Sequence, residues 1–210
     1  MAAPLPVGLA ELRAAVPTRC FPPRPGRSFL HLAVDLEALA AVQGLLAASS
    51  SPWLEAPLVF AAGTLFWSLF VLGHDCGHGS FARSARVNGL VGHALHTPLL
   101  VPYHAWRLSH RRHHRFAGHV DRDEGWFPLT EVQWRAQPAA VRALRTWLLP
   151  VVFPLYLLRG TPERSGHHFD AGSALFEDSE RPAVRRSLRL VGVMAGLPVA
   201  ATCLAGPGAV

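Results

Sequence analysis

Two apolar runs separated by a short turn dominate the first third of the chain. Residues 36–50 are mostly apolar, and residues 57–73 carry no charge over seventeen positions. The stretch SSPWLEAP between them is typical of a turn. About twenty apolar residues cross a bilayer as one helix. The pattern therefore predicts a membrane-spanning helical hairpin within residues 32–73, in which the second helix carries the stronger signal.

Three later apolar segments have different characters. Residues 89–103 carry His93 and His96, which favours a half-buried or interfacial helix. Residues 146–158 are interrupted by two prolines and flanked by arginines, which favours an interfacial or re-entrant segment over a spanning helix. Residues 190–210 are the next spanning candidate.

The composition agrees with a membrane-embedded part that carries a sizeable aqueous part. Half of the residues are apolar and the mean hydropathy is +0.22, which is high for an average soluble domain and low for a bundle that lies wholly in lipid. We expect an all-α integral membrane protein with histidine-bearing helices on the cytoplasmic side. Its predicted parts are a cytoplasmic N-terminal segment (1–31), a transmembrane hairpin (32–73), a cytoplasmic region with the histidine clusters (74–145), an interfacial or cytoplasmic segment (146–189) and the start of a further transmembrane helix (190–210).

The charge distribution gives the hairpin a direction. The net charge is +6 and every basic residue is arginine. Four arginines precede residue 28, none lies between residues 28 and 82, and ten lie within residues 83–145. Positive residues favour the cytoplasmic side, so both flanks of the hairpin are expected there. Because the arginines flank apolar runs, they indicate membrane contact and argue against a nucleic-acid partner.

The expected location is a bacterial inner membrane or an endoplasmic reticulum membrane. The N-terminus lacks the basic and apolar regions of a secretory signal peptide. The three cysteines are far apart, which argues against a disulfide framework and favours a reducing compartment.

Five of the twelve histidines fall in two tight clusters. His74 and His78 lie four positions apart, and His110, His113 and His114 follow in SHRRHHR. Helical residues three or four apart share a face, so each cluster can point its imidazoles in one direction. Neutral imidazole is a good ligand for iron, zinc, copper and nickel. The H-E-x-x-H pattern of zinc proteases is absent, and five nitrogen ligands exceed what one zinc site needs, which favours two irons.

Other polar residues near the clusters receive weaker assignments. Asp75 either orients a ligand histidine or caps a helix. His93, His96 and His104 are expected in structural roles or in contact with the ligands, and metal ligation by them stays open as the alternative. The remaining polar residues of this region are expected at the surface or at lipid headgroups: Arg107, Arg111, Arg112, Asp121, Asp123, Glu124, His31, His119, His167 and His168.

The clusters and their surroundings resemble a known family. HDCGH and HRRHH are similar to the first two histidine boxes of membrane fatty-acid desaturases. HDCGHGSF, LVPYHAWRLSH and GHVDRDEGWFPL are more similar to the omega-3 (delta-15) branch than to the delta-12 branch. LAELRAAVPTRCF and GHHFDAGSALFEDSERPAV extend the resemblance over nearly the whole chain.

The resemblance implies an acyl-lipid desaturase that uses two irons, O2 and two electrons to introduce a cis double bond into a membrane lipid. It implies iron ligation by the five clustered histidines and an electron donor such as ferredoxin or cytochrome b5. The family bears a third box, H-x-x-H-H, which these 210 residues lack. We therefore expect a chain truncated before that box. A delta-12 desaturase, a related lipid hydroxylase and an inactive membrane remnant stay open as alternatives.

Overall fold

The computed structural model describes residues 8–125, 129–148 and 153–205, and all regular structure within these ranges is helical. The helices are α1 (Leu9–Ala15), α2 (Pro25–Ala48), α3 (Pro52–His78), α4 (Ala85–His96), α5 (Tyr103–Phe116), α6 (Glu131–Arg135), α7 (Ala139–Trp147) and α8 (Arg181–Ala205). Short 3-10 turns occupy Thr18–Cys20, Thr97–Leu99 and Phe153–Leu158.

Helices α2 and α3 form the predicted hairpin. Within the described part of the chain, Thr18–Ala48 and Pro52–His78 are long and apolar enough to cross a membrane. The most apolar stretch of the first contains no buried residue, so its side chains are free to face lipid. One polar contact joins the two helices: the Ser68 hydroxyl donates to Asp35 Oδ2 at 2.5 Å. The expectation of an all-α membrane protein is confirmed, whereas the division of the chain into five parts stays a prediction.

Both hairpin helices are longer than the apolar runs. Helix α2 begins at Pro25, and a proline in the first turn costs no hydrogen bond because that N–H has no helical partner. Helix α3 continues past Gly73 to His78. It ends there because Gly79 adopts a left-handed conformation (φ 76°), and the Ser80 N–H then bonds the Asp75 carbonyl at 3.0 Å. The first histidine cluster is therefore the last turn of a membrane helix.

Helices α4 and α5 pack against the end of α3 at very close range. A Cβ on Gly73 would lie 2.3 Å from Nδ1 of His96, and a Cβ on Gly77 would lie 2.8 Å from the Trp106 ring. Both distances are too short for any side chain larger than hydrogen. These two glycines therefore let the second histidine cluster approach the first.

Helix α8 packs against α5. The Ser187 hydroxyl accepts the N–H of His104 at 2.9 Å and lies 3.1 Å from Nε2 of His93. A small core of Ala105, Leu175, Phe176 and Val184 fills this junction.

The two C-terminal apolar segments are described in part. Helix α7 exposes Leu144 and Trp147, as an interfacial helix would, but residues 149–152 lie outside the described ranges. Helix α8 begins at Arg181, nine residues before the predicted spanning candidate, and residues 206–210 also lie outside. The predictions for residues 146–158 and 190–210 therefore stay untested where these segments lie outside the described ranges.

Candidate metal centre

Four imidazoles meet where α3 ends beside α5. Nε2 of His78 lies 3.1 Å from Nε2 of His74 and 3.1 Å from Nε2 of His110. Nε2 of His114 lies 3.0 Å from Nε2 of His110. The ligand atoms of all four lie within 4.8 Å of one another. We call these residues the four-histidine cluster.

The donor set of the cluster fits a first-row transition metal. Four imidazole nitrogens cannot all hydrogen-bond one another, because each neutral ring has only one N–H. A transition-metal ion held by these residues would use their lone pairs together. Burial and the neighbouring imidazoles of His74, His114, His78 and His113 lower the pKa of His110 to about 3, so it is held in the neutral form that binds metals.

Residues of α5 fix the position of the cluster. The Trp106 ring stacks on His110 with centroids 4.7 Å apart and planes 15° apart. Arg107 Nε donates to the Gly77 carbonyl at 3.2 Å, at the negative end of the α3 dipole. Arg107 was expected at headgroups, but it joins the two histidine-bearing helices.

The fifth predicted ligand, His113, lies at the edge of the cluster. Its ring centroid is 5.8 Å from that of His110 and 5.5 Å from that of His114. Its Nδ1 is 2.6 Å from Oδ1 of Asp123. The structure thus brings four of the five predicted ligands together, and the ligand role of all five stays a prediction.

Asp75 lies beside the cluster. Its Oδ1 is 3.3 Å from Nδ1 of His74, whose Nε2 points into the cluster. This contact favours the orienting role, in which a carboxylate fixes the tautomer of a ligand histidine.

The other three histidines of this region have no atom in the four-histidine cluster. His93 lies between the Gly89 carbonyl, 2.8 Å from Nδ1, and the Ser187 hydroxyl. The ring of His104 packs on that of His93 with centroids 4.6 Å apart. His96 is completely buried against Phe70 and Trp106, and burial lowers its pKa to about 3.

Arg112, inside the second histidine box, is wrongly predicted to face solvent or headgroups. Its Nε bonds Glu124 Oε1 at 2.7 Å, its Nη1 lies 3.4 Å from both carboxylate oxygens of Glu180, and its Nη2 donates to the Leu175 carbonyl. Glu124 is 2 % exposed, which also corrects its predicted surface position. Burial raises the pKa of Glu124 to about 7, although Arg112 opposes this effect. Arg112 thus joins the box to the segment that precedes α8.

His168 was also expected at the surface, but it is completely buried. Its Nδ1 donates to the Leu157 carbonyl at 3.0 Å, and its Nε2 lies 2.7 Å from the Ser109 hydroxyl. A neutral ring satisfies both contacts, because Nδ1 then carries the proton and Nε2 accepts from the hydroxyl. Burial lowers the pKa of His168 to about 4.

Acidification is expected to destabilise the protein through His168. Between pH 6.5 and pH 4 the unfolded chain binds a proton at this residue and the folded chain does not, so stability falls as the pH falls through this window. The expected loss is about 2 kcal/mol between pH 7.5 and pH 5. Reversible unfolding in detergent micelles at a series of pH values measures it.

The variant His168→Gln should remove this part of the pH dependence, and His167→Gln, at the exposed neighbouring position, should keep it. Equal pH slopes for His168→Gln and the unmodified protein would contradict the assignment.

An apolar cavity of about 270 Å³ lies between α3, Trp106 of α5 and the 3-10 turns at Thr97–Leu99 and Phe153–Leu158. Its lining residues are Gly63, Phe66, Trp67, Phe70, Leu99, Val101, Trp106, Tyr156 and Leu157. Trp106 belongs to both places, since it lines the cavity and stacks on His110.

Sequence reasoning left Trp106 open between the core, an interfacial belt and the wall of an acyl tunnel, and it missed the position of Asp123 beside His113. Asp123 is 2 % exposed, although it lies among charged residues in a loop and was expected at the surface. The flanking glycines Gly118 and Gly125 are a signal that the chain turns tightly there.

Comparison with known proteins gives a consistent result. The family model described as Fatty acid desaturase matches residues 51–210. An "Omega-3 fatty acid desaturase, chloroplastic" of Glycine max is 46 % identical over 98 % of this chain and 46 % of its own length. An "sn-1 acyl-lipid omega-3 desaturase (ferredoxin)" of Synechocystis sp. is 44 % identical over 91 % of this chain and 54 % of its own length. An "Acyl-lipid omega-3 desaturase (cytochrome b5), endoplasmic reticulum" of Arabidopsis thaliana is 44 % identical over 98 % of this chain and 54 % of its own length. The chain thus spans about half the length of these relatives.

Proposed function

Since this chain belongs to the fatty acid desaturase family, we propose that it forms the substrate-facing and metal-binding part of an acyl-lipid omega-3 desaturase. The reaction uses O2 and two electrons to convert two adjacent methylenes of a membrane lipid into a cis double bond. The observation that carries the proposal is the position of Trp106, which lines the apolar cavity and also stacks on His110 of the four-histidine cluster.

The metal in this proposal is iron, held by the four-histidine cluster with His113 beside it. When bound, iron supplies the activation of O2 that removal of hydrogen from an unreactive methylene requires. The chain's own contribution is to keep the imidazoles neutral and aligned. Trp106 fixes the plane of His110, Asp75 faces the outer nitrogen of His74, and burial keeps His110 unprotonated at neutral pH.

The substrate in this proposal is an acyl chain that enters from the membrane. Four residues of the cavity wall belong to α3, the more apolar of the two hairpin helices, so lipid tails can reach the cavity without crossing water. The wall is almost entirely apolar, which suits a hydrocarbon chain and disfavours a polar substrate. A chain that reached Trp106 would lie against the ring that holds His110.

The electron donor in this proposal docks on the cytoplasmic side. Arg185, Arg186 and Arg189 are exposed on α8, and Arg111 is exposed on α5. A positively charged surface of this kind attracts an acidic carrier protein by long-range electrostatics. The names of two relatives give ferredoxin and cytochrome b5 as donors of those proteins, and we propose a carrier of this class here.

Expression in a host whose lipids contain di-unsaturated but no tri-unsaturated acyl chains tests the function. The chain is expressed alone and as a fusion continued at residue 210 by the second half of the Synechocystis relative, together with ferredoxin and its reductase. Mass spectrometry of the acyl chains should detect a new double bond three carbons from the methyl end.

The ligand variant His78→Ala should abolish this product, and His31→Ala, at an exposed position of α2, should retain it. A double bond or hydroxyl group at another position would favour a different histidine-box enzyme. The absence of any product from both proteins would favour the inactive remnant.

A further inference from the structure

The loop after α5 buries the carboxylate of Asp123 against His113, at the edge of the four-histidine cluster. Both oxygens accept backbone hydrogen bonds, Oδ2 from the N–H of Gly118 at 2.8 Å and Oδ1 from the N–H of Gly125 at 3.0 Å. The side chain is 1 % exposed. A carboxylate fixed by two amides of its own loop has one defined position, unlike a carboxylate on a solvated side chain.

The same carboxylate constrains His113. Its Oδ1 is 2.6 Å from Nδ1 of His113, a short distance that is typical of a charge-assisted hydrogen bond. Gly125 packs against the imidazole ring of His113, since a Cβ at that position would lie 2.9 Å from Cγ of His113. A carboxylate can only accept, so Nδ1 carries a proton, and in the neutral ring Nε2 then keeps its lone pair.

We propose that Asp123 is a positioning residue for metal binding: it holds His113 as the Nδ1–H tautomer, with Nε2 free to ligate an ion beside the four-histidine cluster. This inference rests on the proposed function, because it assumes that the clustered histidines bind metal. A carboxylate in this position both orients the imidazole and makes it a stronger ligand. Asp123 thereby prepares His113, the predicted ligand that lies apart from the other four, to bind a metal ion through Nε2.

Titration of the purified full chain with Co²⁺ in detergent tests the proposal. The d–d absorption of bound Co²⁺ reports each binding step, and His113→Ala identifies the step that depends on His113. We expect Asp123→Asn to weaken that same step about 10- to 100-fold. Asp121→Asn, the matched change at an exposed position of the same loop, should leave every step within about twofold of the unmodified protein.

A double-mutant cycle separates positioning from a purely structural role. If Asp123 acts through His113, the double variant that carries both His113→Ala and Asp123→Asn has the same affinity for Co²⁺ as the single variant His113→Ala. If Asp123 only holds the loop, Asp123→Asn weakens all steps and continues to do so without His113, and the proposal is overturned. Equal binding by Asp123→Asn and the unmodified protein also overturns it, while the proposed metal site stands. No Co²⁺ binding by the unmodified chain overturns the metal site itself, and this proposal with it.

A second measurement keeps the test decisive if Asp123→Asn does not fold. In the unmodified protein, ¹⁵N NMR of labelled histidine, assigned by the signal that His113→Ala removes, reports which nitrogen carries the proton. We expect Nδ1 to be protonated and Zn²⁺ to shift the Nε2 signal. A proton on Nε2, or a Zn²⁺ response at Nδ1, overturns the proposal.

Discussion

Replacement of His78 by alanine should lower the affinity of the protein for Co²⁺ or Fe²⁺ by at least about 100-fold. His78 is the central member of the four-histidine cluster, because its Nε2 contacts Nε2 of both His74 and His110 at 3.1 Å. Changes to residues that merely orient a ligand cost about 10- to 100-fold in affinity, and loss of a ligand costs no less. Titration followed by d–d absorption, together with metal analysis of the purified protein, measures the effect.

The folded structure should tolerate this change, which makes the result easy to interpret. His78 is exposed at the last position of α3, so its removal leaves no cavity. Circular dichroism should therefore show unchanged helix content. The control is His31→Ala, which also removes an exposed histidine from a hairpin helix and should leave metal affinity unchanged. Full metal affinity in His78→Ala would contradict the cluster as the binding site.

Replacement of Arg112 by alanine should lower the free energy of unfolding by about 3–5 kcal/mol, because it leaves the carboxylate of Glu124 buried without its counter-charge. Arg112 also holds Glu180 and the Leu175 carbonyl, so the change detaches α5 from the segment before α8. The loss should be smaller at pH 5 than at pH 8, since Glu124 can protonate at the lower pH. Denaturation in mixed micelles at the two pH values measures both effects.

The neighbouring position provides a matched control. Arg111 is exposed on the same helix, and Arg111→Ala should change stability by less than about 0.5 kcal/mol. Adding Glu124→Gln to Arg112→Ala should recover part of the lost stability, because it removes the unpaired buried charge. Equal losses for Arg111→Ala and Arg112→Ala would contradict the buried ion pair.

The hairpin and the two histidine boxes were predictable because they depend on local sequence. Membrane helices need only a long apolar run, and the spacing of His74 and His78 places both on one face of any helix. The structure adds His110 and His114 to this pair, while the fifth predicted ligand, His113, lies at the edge of the cluster. The family was also predictable from the sequence, because the residues between and around the two boxes resemble the family as the boxes themselves do.

The charged residues around the boxes were not predictable in the same way. Arg112, Asp123 and Glu124 lie in a run rich in charge, which is typical of a solvated surface. The burial of Arg112 depends on distant residues, since Glu180 and the Leu175 carbonyl lie more than sixty positions from it. No local pattern distinguishes a charge that finds such partners from one that faces water.

By itself, the sequence determined an all-α membrane protein of the desaturase family with two histidine boxes, because apolar run length and helical spacing are properties of short segments. The tertiary structure alone decided which imidazoles meet, which carboxylate faces His113 and that Trp106 lines the apolar cavity as well as stacking on His110. These features depend on the close approach of α3, α4 and α5 at Gly73 and Gly77, and on a loop that folds back over α5. In both places, burial and pairing follow from packing and not from residue type.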